Sequence, residues 1–135
     1  ELGNCYARRD WGYAGDFVEG IWKMMQNSKP GDYVLATGEE HSVKEFSTLA
    51  AKIMGFNLVW KGLKPNEHAI DKNTKKIIIK KNNDYFRPSD VSFLKGDAKK
   101  ARKNLGWEPK VKFKDLVKIM VESDKKRSLK GKILQ

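Results

Sequence analysis

The stretch from Tyr33 to Gly55 restricts this chain to folds that combine strands with helices. Tyr33-Val34-Leu35-Ala36-Thr37 is a short apolar run closed by Gly38, the pattern of a buried strand that needs neighbours on both edges. Ser42-Val43-Lys44-Glu45 is a capping box, in which the Ser42 hydroxyl accepts from the Glu45 amide and the Glu45 side chain reaches back. The helix it starts is expected over Val43–Met54: Val43, Phe46, Leu49, Ala50, Ile53 and Met54 keep helical spacing, and Gly55 supplies a left-handed stop. A strand feeding a capped helix predicts the α/β class.

The flanking sequence extends the pattern. Glu1-Leu2-Gly3-Asn4 reads as the end of a strand. Asp16 is placed to cap a helix running to about Asn27, with Phe17, Val18, Ile21, Trp22, Met24 and Met25 as its core face. Phe56–Trp60 and Ile77–Ile79 read as strands, Asp71–Lys75 as a turn, and the region between Lys61 and Asn83 as mostly loop. Asp97 is expected to cap a helix over Ala98–Leu105 that stops at Gly106. A terminal helix carries Leu116, Val117, Ile119, Met120 and Val121 before a charged tail that frays from Lys125.

With 39% hydrophobic residues, 135 residues suffice for a folded core. No apolar run approaches the roughly 18 residues of a membrane helix, so a soluble intracellular protein is expected. Cys5 stands alone, leaving no disulfide framework and no cysteine-rich metal site, and reads as a small apolar filler. His41 and His68 lack ligand spacing, which makes zinc improbable, and the adjacent Glu39 and Glu40 read as solvated loop carboxylates. The net charge of +11 comes from 23 lysines and 5 arginines, and the lysines are dispersed as on solvated faces. Non-specific attraction to nucleic acid needs no more than that density of charge, and a small basic nucleic-acid-binding domain is one functional reading. No zinc-finger spacing or aromatic RNA-binding signature sharpens it.

Arg8, Arg9 and Arg87 fall in two segments that look like anion sites. In Tyr85-Phe86-Arg87-Pro88-Ser89-Asp90, Pro88 drives Arg87 onto extended backbone. Its guanidinium then suits phosphate oxygens, and Asp90 suits a pair of sugar hydroxyls. Equally, Arg87 can pair with a carboxylate while Asp90 caps a helix beginning near Val91.

Four stretches together resemble the GDP-mannose 4,6-dehydratase family of extended short-chain dehydrogenases/reductases. They are Leu2-Gly3-Asn4 with Arg9–Asp16, Asp32–Glu39 with His41-Ser42-Val43, Tyr85–Val91, and Gly96-Asp97 with Leu105–Pro109. Cys5-Tyr6 stands where the family more often has Leu-Asp, and Asp90 where it usually has Glu. The first and third stretches are also similar to sugar-nucleotide epimerases, other dehydratases and reductases of the superfamily. The resemblance implies that the chain is the C-terminal, substrate-binding portion of a Rossmann-like enzyme. Residues 33–37 and the flanking helices would complete the large parallel sheet, leaving an edge and an apolar face uncovered in the isolated chain.

By the same resemblance, Arg9 and Arg87 hold the diphosphate of GDP-mannose, Asp90 takes the ribose hydroxyls and Asn4 lies near the nucleotide. The family's NADP-dependent internal redox dehydration needs groups that are absent here. No glycine-rich dinucleotide fingerprint follows a strand, and Tyr6, Tyr13, Tyr33 and Tyr85 lack a lysine four residues on. The implied chain therefore contains no catalytic residue, binds no cofactor itself and is inactive alone. It depends on a missing N-terminal half within a cytoplasmic homo-oligomer, with neither membrane nor specific nucleic acid as partner.

Overall fold

The computed structural model describes residues 1–63, 67–87 and 91–129. In chain order the elements are β1 (Arg8–Arg9), α1 (Ala14–Gln26), β2 (His41–Ser42), α2 (Val43–Ile53), β3 (Leu58–Lys61), β4 (His68–Asp71), β5 (Ile77–Lys80), a 3-10 turn at Asn83–Tyr85, α3 (Lys99–Leu105) and α4 (Phe113–Leu129). This is the α/β class expected from the strand and helix patterns. The chain forms two compact units. One contains Glu1–Ala7, Ser42–Ser92 and the described residues from Val117 on; the other contains Arg8–His41 and Phe93–Leu116.

In the first unit β3, β4 and β5 form an antiparallel sheet in that order, with Trp60 opposite Ala69 and Ala69 opposite Ile79. The Trp60 indole N–H donates to the Thr48 hydroxyl at 3.0 Å, fastening α2 to the sheet. The Ser42–Glu45 capping box forms as read, with both reciprocal bonds present. Two further amides at this helix start, those of Val43 and Lys44, donate to the carbonyls of Ala7 and Cys5. The sequence reading missed β4, whose inward positions are Ala69 and Asp71. Buried Asp71 looks like a turn residue because it also builds the turn. Its carboxylate accepts from the Asn57 amide at 3.0 Å, the Thr74 amide at 3.0 Å and the Thr74 hydroxyl at 2.8 Å.

The second unit packs around Ala36, Ala98, Ala101 and Trp107, against which Phe17, Tyr33, Leu35 and Leu105 rest. Trp107 is 1% exposed, its indole N–H donates to the Asp16 carbonyl at 2.7 Å, and its ring stacks on Phe17 at 6.0 Å. Small residues are obligatory here, since a Cβ on Gly96 would collide with the Cβ of Ala36. Gly106 ends α3 in the left-handed conformation, as expected.

Several expectations are corrected. Residues 33–37 are not a strand: among the described residues nothing offers them a ladder, although Tyr33 and Leu35 face the core and Val34 faces out. Asp16 does not cap α1, which begins at Ala14. It sits buried in the first turn, where its carboxylate accepts from the Lys110 and Val111 amides at 2.9 Å each. The helical spacing of Val18, Ile21, Trp22 and Met25 is real, but all four are exposed, Met25 by 70%. No helix begins at Val91; Phe93 instead forms a bridge with Arg8. The terminal helix holds through Leu129 instead of fraying at Lys125.

Replacing Trp107 with alanine removes the largest fully buried side chain and is expected to cost about 3–5 kcal/mol of stability, measurable as a lowered urea midpoint.

Candidate functional site

Asp10 follows β1 directly and ties three segments of the second unit together. One carboxylate oxygen accepts from the Thr37 amide at 2.9 Å and the Thr37 hydroxyl at 2.6 Å; the other accepts from the amides of Gly38 at 2.9 Å and Gly96 at 3.2 Å. Burial pushes the Asp10 carboxyl up, but these four donors outweigh it and hold it below the ordinary carboxylate value. The backbone that presents Arg9 is thereby fixed on one side. On the other, the Arg8 carbonyl accepts from the Leu94 amide at 3.1 Å and from the Arg9 guanidinium at 2.7 Å.

Arg8, read from sequence as part of an anion-binding segment, is occupied within the protein. Its Nε donates to the Glu40 carboxylate at 3.0 Å and its Nη2 to the Glu40 carbonyl at 2.9 Å. Glu40 is accordingly a paired carboxylate, not a solvated one. Arg9 is half-buried. The neighbouring carboxylates have other donors: that of Asp10 serves Thr37, Gly38 and Gly96, and that of Asp16 serves Lys110 and Val111.

The first unit contains the other described candidates. The Leu2 amide donates to the Lys80 carbonyl and the Asn82 amide to the Leu2 carbonyl, so the N-terminal segment runs beside the residues after β5. Gly3 lies against the Tyr85 carbonyl with no room for a side chain. This brings the segment carrying Asn4 alongside the turn that leads to Arg87. The Asn4 carboxamide oxygen accepts from the Tyr6 amide at 3.0 Å. Arg87 is exposed, and no carboxylate among the described residues pairs with it. Arg9 belongs to the second unit, and Asp90 lies outside the described residues together with Pro88 and Ser89.

One polar cluster was invisible to sequence reasoning. Buried Glu67 accepts from the Tyr6 hydroxyl at 2.6 Å and from the Lys44 ammonium, which lies 4.6 Å from the Trp60 ring centroid and 5.2 Å from that of Tyr6. The bond to Glu67 raises the Tyr6 hydroxyl above its ordinary pKa. For Lys44, burial pulls downward but the bond to Glu67 wins, and the net shift is upward. Neighbouring Cys5 is buried, as the filler reading expects, and burial raises its thiol first, with the charge of Glu67 adding to it. The cluster's members come from residues 6, 44 and 67, too far apart in the sequence for any local pattern to mark them.

His41 stacks on Phe113 at 3.7 Å. Among the described residues no group of three or more His, Cys, Asp or Glu is placed to hold a metal, and no helix is long and apolar enough to cross a membrane.

The fold is shared with solved enzymes. UDP-glucose 4-epimerase from Thermotoga maritima, solved with UDP-glucose, superposes with a TM-score of 0.70 at 24% identity, over 95% of this chain and 35% of that one. dTDP-glucose 4,6-dehydratase from Bacillus anthracis, in complex with NAD, gives 0.66 at 16% identity, over 93% and 33%. The architecture is thus that of a segment, about a third in length, of these enzymes. Within that class, the family model for GDP-mannose 4,6 dehydratase matches residues 1–120. GDP-mannose 4,6 dehydratases from Cricetulus griseus and Homo sapiens are 47% and 46% identical over 123 residues, and GDP-mannose 4,6 dehydratase 1 from Arabidopsis thaliana is 48% identical over 134. The chain belongs to the GDP-mannose 4,6 dehydratase family. It covers 91% to 98% of itself in these matches but spans only about a third of the relatives' length.

Because its folded pKa is depressed, Asp10 stabilises the protein fully above the unfolded carboxylate value of about 3.9, and that contribution is lost as pH falls through the folded value. Asp10→Asn is expected to lower the urea midpoint at pH 7, and its deficit relative to the parent protein should shrink as both are titrated below pH 4.

Proposed function

We propose that this chain supplies the GDP-sugar-binding part of a GDP-mannose 4,6-dehydratase. The reaction converts GDP-mannose to GDP-4-dehydro-6-deoxy-mannose on the route to GDP-fucose. The observation that carries the reading is Arg87: an exposed guanidinium without an ion-pair partner among the described residues, in a chain nearly half identical to enzymes named for GDP-mannose. Arg87 donates its planar fork to one phosphate of GDP, and Arg9 contributes a second cation, so that about two negative charges meet two positive ones. Asp90 accepts from the ribose hydroxyls, and Asn4 lies close to the nucleotide.

NADP supplies the hydride chemistry of this reaction, and we assign its cradle to the rest of the enzyme because no glycine-rich fingerprint follows a strand in this sequence. Gly3 and Gly96 are packed against the Tyr85 carbonyl and the Ala36 Cβ. The hydroxyls of Tyr6 and Tyr33 are likewise engaged, with Glu67 and Asn27. The chain's share of the work is therefore to hold and orient substrate, and the segment has no turnover by itself. The same reading carries with it a cytoplasmic homo-oligomeric enzyme whose remaining length provides the catalytic groups.

Calorimetric titration with GDP-mannose and with GDP tests the proposal. Both ligands are expected to bind comparably, because the contacts are to the nucleotide, and Arg87→Ala should weaken both by roughly 10-fold to 100-fold, the loss of one charge-assisted interaction. Equal binding by the parent and Arg87→Ala proteins in the full-length enzyme would overturn it.

A further inference from the structure

Among the five arginines of this lysine-rich chain, Arg8 is bonded to Glu40 and Arg127 to Asp124. Arg102, on α3, makes a looser ion pair, its Nε 3.9 Å from the Glu108 carboxylate and so longer than a hydrogen bond. It lines a cavity of about 390 Å³ together with Lys95, Lys99, Gly38, Gly96 and Asp97. Asp97 is the one carboxylate in this lining. It is already engaged with Lys99, accepting from the backbone amide at 2.9 Å and lying 3.4 Å from the ammonium. Lys95 has no ion pair among the described residues. Three cations against Asp97 in the lining and Glu108 outside it still leave the cavity with an excess of positive charge.

The backbone around this cavity is fixed. Gly38 and Gly96 both donate their amides to the same oxygen of Asp10, which ties the two loops at the cavity. Gly38 has a φ of 78°, and a Cβ there would meet only Arg102 Nη2, at 3.8 Å. A glycine at this point lets the edge of the guanidinium stand clear of side chains. A rigid frame, a planar fork of donors and two flanking ammonium groups match a tetrahedral dianion better than a single carboxylate.

We propose that this cavity is a second anion site, one that takes a phosphate group, with Arg102 as the fork and Lys95 and Lys99 balancing the charge. It shares no residue with the sugar-nucleotide candidates Asn4, Arg9, Arg87 and Asp90, so it stands or falls separately from them. The phosphate reaches the site either free or as a nucleoside monophosphate.

Titration of the protein at low ionic strength with inorganic phosphate, and separately with AMP, followed through the amide resonances of Gly38, Gly96 and Lys99, tests this. Saturable shifts of these amides are expected with at least one probe, the tighter one identifying the source. Arg102→Gln should weaken binding at least about 10-fold, and Arg102→Lys should restore it only in part, because the charge returns without the fork. Lys29→Gln, a charge change away from the cavity, should leave the affinity unchanged. Shifts that rise linearly without saturating, that chloride reproduces at equal ionic strength, or that fall equally in Lys29→Gln would overturn the site. If Arg102→Gln is unfolded, Lys95→Gln takes its place with the same expected loss.

Discussion

The carboxylate of Asp10 is the tie on which the second unit depends. Four donors from Thr37, Gly38 and Gly96 converge on two oxygens, which sets where the loop after residue 36 meets the loop before α3. That meeting in turn fits Ala36 against Gly96 at a distance no larger residue tolerates. The apolar contribution here is thin, since three of the four core residues are alanines. A buried methyl brings roughly 0.8 kcal/mol, whereas a hydrogen bond to a charged group brings about 1.5–3 kcal/mol, so loop placement owes more to the aspartate than to the alanines. Asp16 repeats the device for Lys110 and Val111, and Asp71 repeats it in the first unit. In each case a short side chain with two acceptors gathers backbone amides that lie outside any ladder.

What could be read from the sequence follows from how local each determinant is. The capping box at Ser42 and the stop at Gly106 were legible because donor, acceptor and backbone conformation all lie within a few residues. The ties of Asp10 were not, because its partners are 27 to 86 residues away. The apolar pattern of residues 33–37 reported burial on one side correctly. It could not report strand pairing, which is a property of two segments. The period of α1 was similarly right, yet period alone does not say which stripe is covered.

The candidate site shows the same division. Arg87 was singled out from its own neighbours, because proline restricts the residue before it. Arg8 was misread because Glu40, its partner, lies 32 residues on. Glu67, which gathers Tyr6 and Lys44 from 61 and 23 residues away, carried no local signature at all. In a chain where lysine supplies most of the charge, the arginines separate by what meets them. Two are locked to carboxylates, one faces a cavity, and Arg9 and Arg87 stand in the segments on which the GDP-sugar reading rests.

The run before Gly38 has a consequence for how the molecule exchanges hydrogen with its solvent. The amides of Tyr33, Val34 and Leu35 meet no acceptor among the described residues, whereas those of Thr37 and Gly38 are bound to Asp10. Over the six residues from Tyr33 to Gly38 the chain thus passes from backbone amides with no bonded acceptor to amides that release their protons only when the aspartate lets go. The step between the two reports directly on whether Asp10 is holding.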